Sequence, residues 1–175
     1  SLGGSYISKN IEDYYLTPWD LDYGRVINFN HDFIGRGALE KMKDQPHRRK
    51  VTLEWKADDV LAIQSSILHG KDNGKFMEMP NAHYAAHPYD MVMSGSHMVG
   101  VSTYPCYLSV DHQWISLAMI DEADAADGKE VTVIWGEPDG GSRKPGVERH
   151  VQKEIRATIG PWPYTKAARE DYRPR

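Results

Sequence analysis

The stretch Gln113–Ile120, which reads QWISLAMI, decides the fold class because apolar side chains lie on both of its faces. A strand of this kind is expected at the buried centre of a sheet. Shorter strand-like segments lie before and after it in the sequence. Turn signals such as Asp72-Asn73-Gly74 and Ser94-Gly95-Ser96 separate them. The predicted strands are residues 51–55, 60–64, 75–79, 89–93, 98–103, 113–120, 129–135 and 149–159.

This spacing predicts a β-barrel or sandwich rather than a parallel α/β sheet. In residues 3–31 the pattern predicts a strand, a loop and a second, half-buried strand at 26–31. A short helix is predicted over residues 33–43, and the polar stretch Lys43–Lys50, broken by Pro46, marks a domain boundary. We therefore predict a mainly β protein with a short helix (α+β), divided into residues 1–48 and 49–175. The charged tail from Ala167 is expected to be a terminal helix or frayed.

The overall composition is that of an ordinary globular protein. The 175 residues are 40% hydrophobic and 26% charged, with a net charge of −4 and a pI near 6.0, which predicts no nucleic-acid partner. No apolar run approaches the roughly 18 residues of a membrane span, so no membrane partner is predicted. Cys106 is the single cysteine, so no internal disulfide forms, and a reducing, cytoplasmic location is expected. The chain lacks an initiator methionine, and we expect it to be part of a longer protein.

Four local patterns contain residue types found in catalytic or ligand-binding sites, and each favours a structural explanation. His83 and His87 are spaced for a metal on a helix, but Pro88 follows and no third ligand is evident. Cys106 lacks a local base or oxyanion hole. The glycine-rich residues 136–146 lack the spacing of a phosphate loop and predict an exposed hairpin loop. The acidic residues in 121–127 lack the calcium-loop pattern and predict a solvated turn. No catalytic or metal-ligating residue is therefore predicted.

Several aromatic residues could line a pocket for a flat heterocycle, because their rings combine an apolar face with a polar tip. Packing in the core or exposure on the surface is the alternative for each of them. The residues are Tyr6, Tyr14, Tyr15, Trp19, Trp162 and Tyr164.

A family resemblance adds to this interpretation. It is carried by Gly3-Gly4, Thr17-Pro18, Asp32–Arg36 with Ala38-Leu39, and the basic Arg48–Lys50 that leads into residues 51–54. In this order they resemble the folate-dependent aminomethyltransferase family, which includes the T-protein of the glycine cleavage system. Further stretches are similar to its branch of tetrahydrofolate-dependent O-demethylases acting on methoxybenzoates such as vanillate and syringate. These stretches are NIEDYYLTPWDLDYG at 10–24, DNGKFMEMP at 72–80 and VIWGEPDGGSRK at 133–144.

The resemblance implies that the chain holds the end of a folate-binding region followed by a C-terminal β-barrel. The catalytic aspartate and the folate-clamping residues of the family would precede Ser1, so the chain alone is expected to be inactive. Tetrahydrofolate would be the cofactor, and a small one-carbon donor the other partner. Apolar surface around Tyr6 to Phe33, left uncovered, would favour a homodimer.

The resemblance also indicates two binding residues. Matching on the glycine pair and the Thr-Pro turn places Ser8 where the family has a pocket tyrosine. Tyr6 shares a face with Ser8 on a strand. Tyr164 falls in the closing proline-aromatic segment that begins at Pro161. Tyr6 and Tyr164 are therefore the predicted folate- or substrate-binding residues. The alternatives are a T-protein that takes its aminomethyl group from a lipoyl carrier, and a non-catalytic β-barrel binding module.

Overall fold

The computed structural model describes residues 2–70, 72–78, 87–141, 145 and 147–172. Its strands are β1 (Leu2–Gly3), β2 (Arg48–Trp55), β3 (His87–Pro88), β4 (Asp90–Ser94), β5 (His97–Leu108), β6 (Gln113–Asp121), β7 (Glu130–Trp135) and β8 (Lys153–Gly160). Its α-helices are α1 (Arg36–Met42) and α2 (Ala57–His69). Single helical turns lie at Ile11–Tyr14, Gly24–Val26, Glu122–Asp124 and Ala167–Asp171.

Six antiparallel strands close into a barrel in the order β2-β6-β5-β4-β7-β8. Strand β6, which carries the QWISLAMI stretch, pairs with β2 on one side and β5 on the other. Alternate side chains of each strand point into the barrel, as Val51, Leu53 and Trp55 of β2 do, each no more than 1% exposed. The mainly β prediction with a barrel is confirmed.

Residues 60–64 were predicted to be a strand, and this prediction is wrong because they lie within α2. Asp58 and Asp59 occupy its first turn, where carboxylates favour the helix N-terminus. Gly70 follows with φ +66°, the left-handed conformation that commonly ends a helix. Val60 and Ile63 are buried against the barrel core, so the apolar spacing is helical and five residues were too few to show it.

The N-terminal part is less regular than predicted. Its only strand in the described chain is β1, which pairs in parallel with β3. The strand predicted at residues 26–31 is wrong, because the chain turns at Gly24–Val26 and Val26 is 68% exposed. The predicted short helix is confirmed as α1. The predicted division at residues 48 and 49 stays a prediction, and β2 begins there.

Two other strand predictions need correction. Residues 75–78 form no strand, although Met77 is buried in the core cluster. Residue 79 lies outside the described residues. The last strand begins at Lys153 rather than at residue 149. Residues 147–150 instead form a loop that brings His150 beside Glu137.

Candidate functional site

The segment Gly3–Tyr6 is fixed to the barrel by backbone hydrogen bonds on both sides of Tyr89. Tyr89 donates its N–H to the Gly3 carbonyl, and Tyr6 donates its N–H to the Tyr89 carbonyl, both at 2.9 Å. Gly4, with φ +94°, passes so close that an added Cβ would lie 2.3 Å from the Tyr89 oxygen. Only glycine fits this approach, so the second residue of the glycine pair has a physical reason.

Two buried carboxylates of the barrel bind the same segment. Gly4 donates its N–H to Oε1 of Glu137 at 3.0 Å, and Ser5 donates its N–H to Oδ1 of Asp90 at 3.0 Å. Lys75 also donates to Oε1 of Glu137, at 3.0 Å. Burial raises the pKa of Asp90 to about 6. Burial opposes ionisation of Glu137 too, but the Gly4 N–H and the Lys75 ammonium outweigh it and hold the pKa of Glu137 below its ordinary value.

His150 completes this buried polar cluster. Its Nε2 accepts the Glu137 backbone N–H at 2.9 Å, and its Nδ1 lies 2.9 Å from the Glu148 carbonyl, so the proton is assigned to Nδ1. In this tautomer Nε2 cannot donate to Oε2 of Glu137, although the two atoms are 3.2 Å apart. Within the described part of the chain, that buried oxygen has no hydrogen-bond partner. The Glu137 carboxylate is therefore only half satisfied.

Tyr6 lines a cavity of about 220 Å³ between the N-terminal segment and the loop after β7. Its ring packs edge-to-face on Tyr14, with ring centres 5.2 Å apart, and Tyr14 packs in the same way on Tyr89 at 5.6 Å. Burial, and secondarily the Asp13 carboxylate, raise the pKa of Tyr6. The lining residues are Leu2, Gly3, Gly4, Tyr6, Ile7, Tyr14, Glu137, Asp139 and Gly141.

Tyr164 lies elsewhere, in the segment that follows β8. Burial raises the pKa of its hydroxyl, and so does Glu54, whose carboxylate accepts the hydroxyl proton in a hydrogen bond. Arg48, whose charge acts on Tyr6, is six residues from Glu54 on β2, a Cα separation of about 20 Å. The two predicted binding residues therefore lie toward opposite ends of one strand, and the structure does not bring them together.

The outer face of β2 between them carries a second aromatic contact. Lys50 places its Nζ 3.8 Å from the ring centre of Trp162, a cation–π contact. Burial lowers the pKa of Lys50, and the negative charge of Asp22 acts in the opposite direction. This contact holds the segment after β8 against the barrel.

The other residues weighed for chemistry gain no support. His87 faces the Tyr104 hydroxyl at 3.2 Å, and His83 lies outside the described residues. Burial raises the pKa of Cys106, the opposite of an activated thiolate. No group of three or more potential metal ligands occurs in the described residues. None of the described helices has the length and apolar character needed to cross a membrane.

The predicted loop at 136–146 contains the main residue that sequence reasoning missed. Glu137 is only 4% exposed, and its partners Gly4, Lys75 and His150 are distant in sequence. Residues 142–144 and 146 of this loop lie outside the described residues. The one available signal was a charged residue two positions beyond the predicted strand at 129–135.

Fold and site together define a class: a closed antiparallel β-barrel domain to which a preceding glycine-containing segment is bound by buried carboxylates. No protein-family model matches the chain. The chain is 48% identical over 172 residues, 98% of its length, to syringate O-demethylase of Sphingobium sp. (strain NBRC 103272 / SYK-6). It is 32% identical over 168 residues, 90% of its length, to sesamin methylene transferase of Sinomonas sp. (strain No.22).

The predicted resemblance is confirmed, because the chain is related over nearly its whole length to syringate O-demethylase and to sesamin methylene transferase. The chain spans 37% of the length of the first relative and 35% of the second. What the chain shares with these proteins is thus about a third of their length.

Proposed function

We propose that the chain is the C-terminal part of a tetrahydrofolate-dependent O-demethylase that takes a methyl group from an aryl methyl ether. The observation that carries this proposal is the 48% identity to syringate O-demethylase across 98% of the chain. In the reaction the ether C–O bond breaks, a C–N bond forms to the folate amine, and the proton released from nitrogen is balanced by the one taken up by the phenolate oxygen. Tetrahydrofolate supplies the accepting amine when it is bound.

The chain's own residues fit the role of a pocket wall. The cavity beside Tyr6, at about 220 Å³, is smaller than the roughly 300–1,000 Å³ typical of ligand pockets. It can take part of a folate or one aromatic ring, so the rest of the pocket would come from the preceding part of a longer protein. Tyr6 and Tyr164 would contact the ligand from two places, and the chain alone would be inactive.

The surface of the N-terminal segment agrees with this role. Large apolar side chains are exposed along it, whereas isolated domains rarely leave extended apolar patches uncovered. A preceding domain would cover this surface, and in its absence a second copy would. The most exposed are Ile7, Ile11, Tyr15, Tyr23, Val26 and Ile34. The unpaired Cys106 agrees with the proposed cytoplasmic location.

The test is an assay of the full-length protein with tetrahydrofolate and syringate. We expect equimolar methylated folate and demethylated phenol from the full-length protein, and neither product from the 175-residue chain. A parallel reaction with sesamin, a methylenedioxy compound, separates this function from that of the second relative. Absence of transfer from any aryl methyl ether would refute the proposal.

Two substitutions examine the predicted binding residues in the same assay. Tyr6→Leu and Tyr164→Leu should each raise the KM for one of the two substrates at least about fivefold, because each removes an aromatic ring from the pocket wall. Tyr172→Leu is the matched control, since Tyr172 is 83% exposed. Unchanged kinetics for both variants would remove these tyrosines from the site.

A further inference from the structure

Two buried carboxylates on neighbouring barrel strands face the segment that leads into Tyr6. Asp90 is the first residue of β4, and Glu137 lies two residues beyond the end of β7. Strands β4 and β7 are hydrogen-bonded neighbours. The two carboxylates therefore approach Gly4 and Ser5 from adjacent strands, and we call Gly3–Tyr6 with Asp90, Glu137 and Lys75 the clasp.

The docked segment supplies backbone N–H donors to both buried carboxylates of the clasp. Asp90 is 1% and Glu137 4% exposed, and Lys75, 14% exposed, is the cation that contacts Glu137. The ionised form of Asp90 is stabilised by the Lys75 charge and by the backbone N–H groups of Ser5 and Gly136. Undocking of the segment would leave both carboxylates without one of their donors in a buried site, which is costly. The clasp therefore adds side-chain contacts to the two-residue pairing of β1 with β3.

The clasp acts on Tyr6 through the backbone. Ser5 is held twice, since it also accepts the Met91 N–H on its hydroxyl at 2.8 Å. Tyr6 follows directly, and its own N–H is bonded to Tyr89. Glu137 also lines the same cavity as Tyr6. A shift of the Gly4 or Ser5 amides would thus move the aromatic wall with little intervening chain to absorb it.

We propose that Glu137 and Asp90 are positioning residues, which fix the Tyr6 ring at the cavity wall through the Gly4 and Ser5 amides. The role of Tyr6 in ligand binding rests on the proposed function, whereas the clasp itself does not. Glu137 also lines the cavity, but the proposed effect of both carboxylates on binding passes through Tyr6.

The first test is amide hydrogen exchange by NMR on the 175-residue chain. Glu137→Gln removes the charge that pairs with Lys75, so we expect exchange at Gly4 and Ser5 to accelerate at least about tenfold. Barrel amides of Val92 and Val133 should stay within about twofold. Glu130→Gln is the matched control, because Glu130 is the first residue of β7 and its side chain is 72% exposed. If Glu137→Gln does not fold, the charge-balanced pair Glu137→Gln with Lys75→Met is measured instead.

The second test uses the full-length enzyme and a double-mutant cycle. Glu137→Gln should raise the KM for one substrate at least about fivefold and leave kcat within about twofold. Combined with Tyr6→Leu, it should add nothing further, because residues that act through one group are not additive. Additive effects, or uniform or unchanged exchange in the first test, would overturn the proposal. If the wild-type enzyme transfers no methyl group, the proposed function fails while hydrogen exchange still decides the clasp.

Discussion

At the scale of single residues, the chain places several polar groups where water cannot reach them. Asp90 is the clearest case, because its folded-state pKa of about 6 lies above the ordinary value of 3.8. Between these two pH values the unfolded chain loses a proton that the folded chain keeps. The folded state then binds more protons, so the contribution of Asp90 to stability falls as pH rises.

The substitution Asp90→Asn tests this sign. Relative to the variant, the wild-type free energy of unfolding should fall by about 2 kcal/mol between pH 4 and pH 7, since one pKa unit corresponds to about 1.4 kcal/mol and the unfolded chain is already partly ionised at pH 4. The pKa of Glu137 is lowered, so its contribution to stability falls as pH falls. Glu137 is present in both proteins. Urea denaturation at several pH values measures the difference, and a constant offset between the two curves would contradict the assignment.

A buried hydroxyl network inside the barrel gives a second residue-level prediction. Trp55 donates its indole N–H to the Ser116 hydroxyl at 3.0 Å, and Ser102 donates to the same oxygen at 2.7 Å. Ser116→Ala leaves the indole N–H buried without its acceptor, which costs about 1–3 kcal/mol.

The measurement is a chemical denaturation midpoint, with Ser65→Ala on the exposed face of α2 as the control. We expect the control to stay within about 0.5 kcal/mol of wild type. Equal effects of the two substitutions would mean that the Ser116 hydroxyl is not a needed acceptor.

At the scale of elements, α2 follows β2 and packs on the barrel core. Ile63, 2% exposed, and Val60 belong to the same buried cluster as Trp55. On the outer side, Arg156 of β8 donates two side-chain hydrogen bonds to the Asp59 carboxylate. The helix is thus attached to the barrel by apolar packing and by a bidentate ion pair.

Removal of a buried side chain from α2 should therefore destabilise the whole barrel. We expect Ile63→Ala to lower the free energy of unfolding by about 2–5 kcal/mol through lost burial and the cavity left behind. Leu61→Ala, at a position 64% exposed on the same helix, is the matched control and should cost much less. A thermal melt in which both variants lose equal stability would show that α2 does not belong to the core.

The elements also show what sequence reasoning could and could not reach. The two apolar faces of β6 and the turn signals between the neighbouring segments identified the barrel strands, because each pattern is local. Val60 to Gln64, within α2, are predicted to be a strand, because the pattern of these five residues alone fits either element. Its acidic first turn and the following glycine were the signals that distinguish a helix.

The candidate site was predictable only in part. Tyr6 was found through the resemblance, and it does line a cavity. Asp90 and Glu137 were missed because their partners Ser5 and Gly4 are 85 and 133 residues away along the chain. Such contacts are created by barrel closure, which no local pattern encodes.

At the scale of the whole molecule, the barrel has a complete core while the N-terminal segment leaves apolar side chains exposed. This asymmetry agrees with the proposed role of a wall for a ligand pocket. The chain also spans about a third of the length of its relatives. Under the proposed function, the clasp would fix the Tyr6 end of that wall to the barrel.

The most direct test of this account is calorimetric titration of tetrahydrofolate into the 175-residue chain and, side by side, into the full-length protein. The account predicts saturable binding by the full-length protein and none by the chain alone. Equal affinity of the chain alone would contradict its role as a wall and would place the whole folate site within these residues. Absence of binding by both proteins would contradict the folate-dependent function itself.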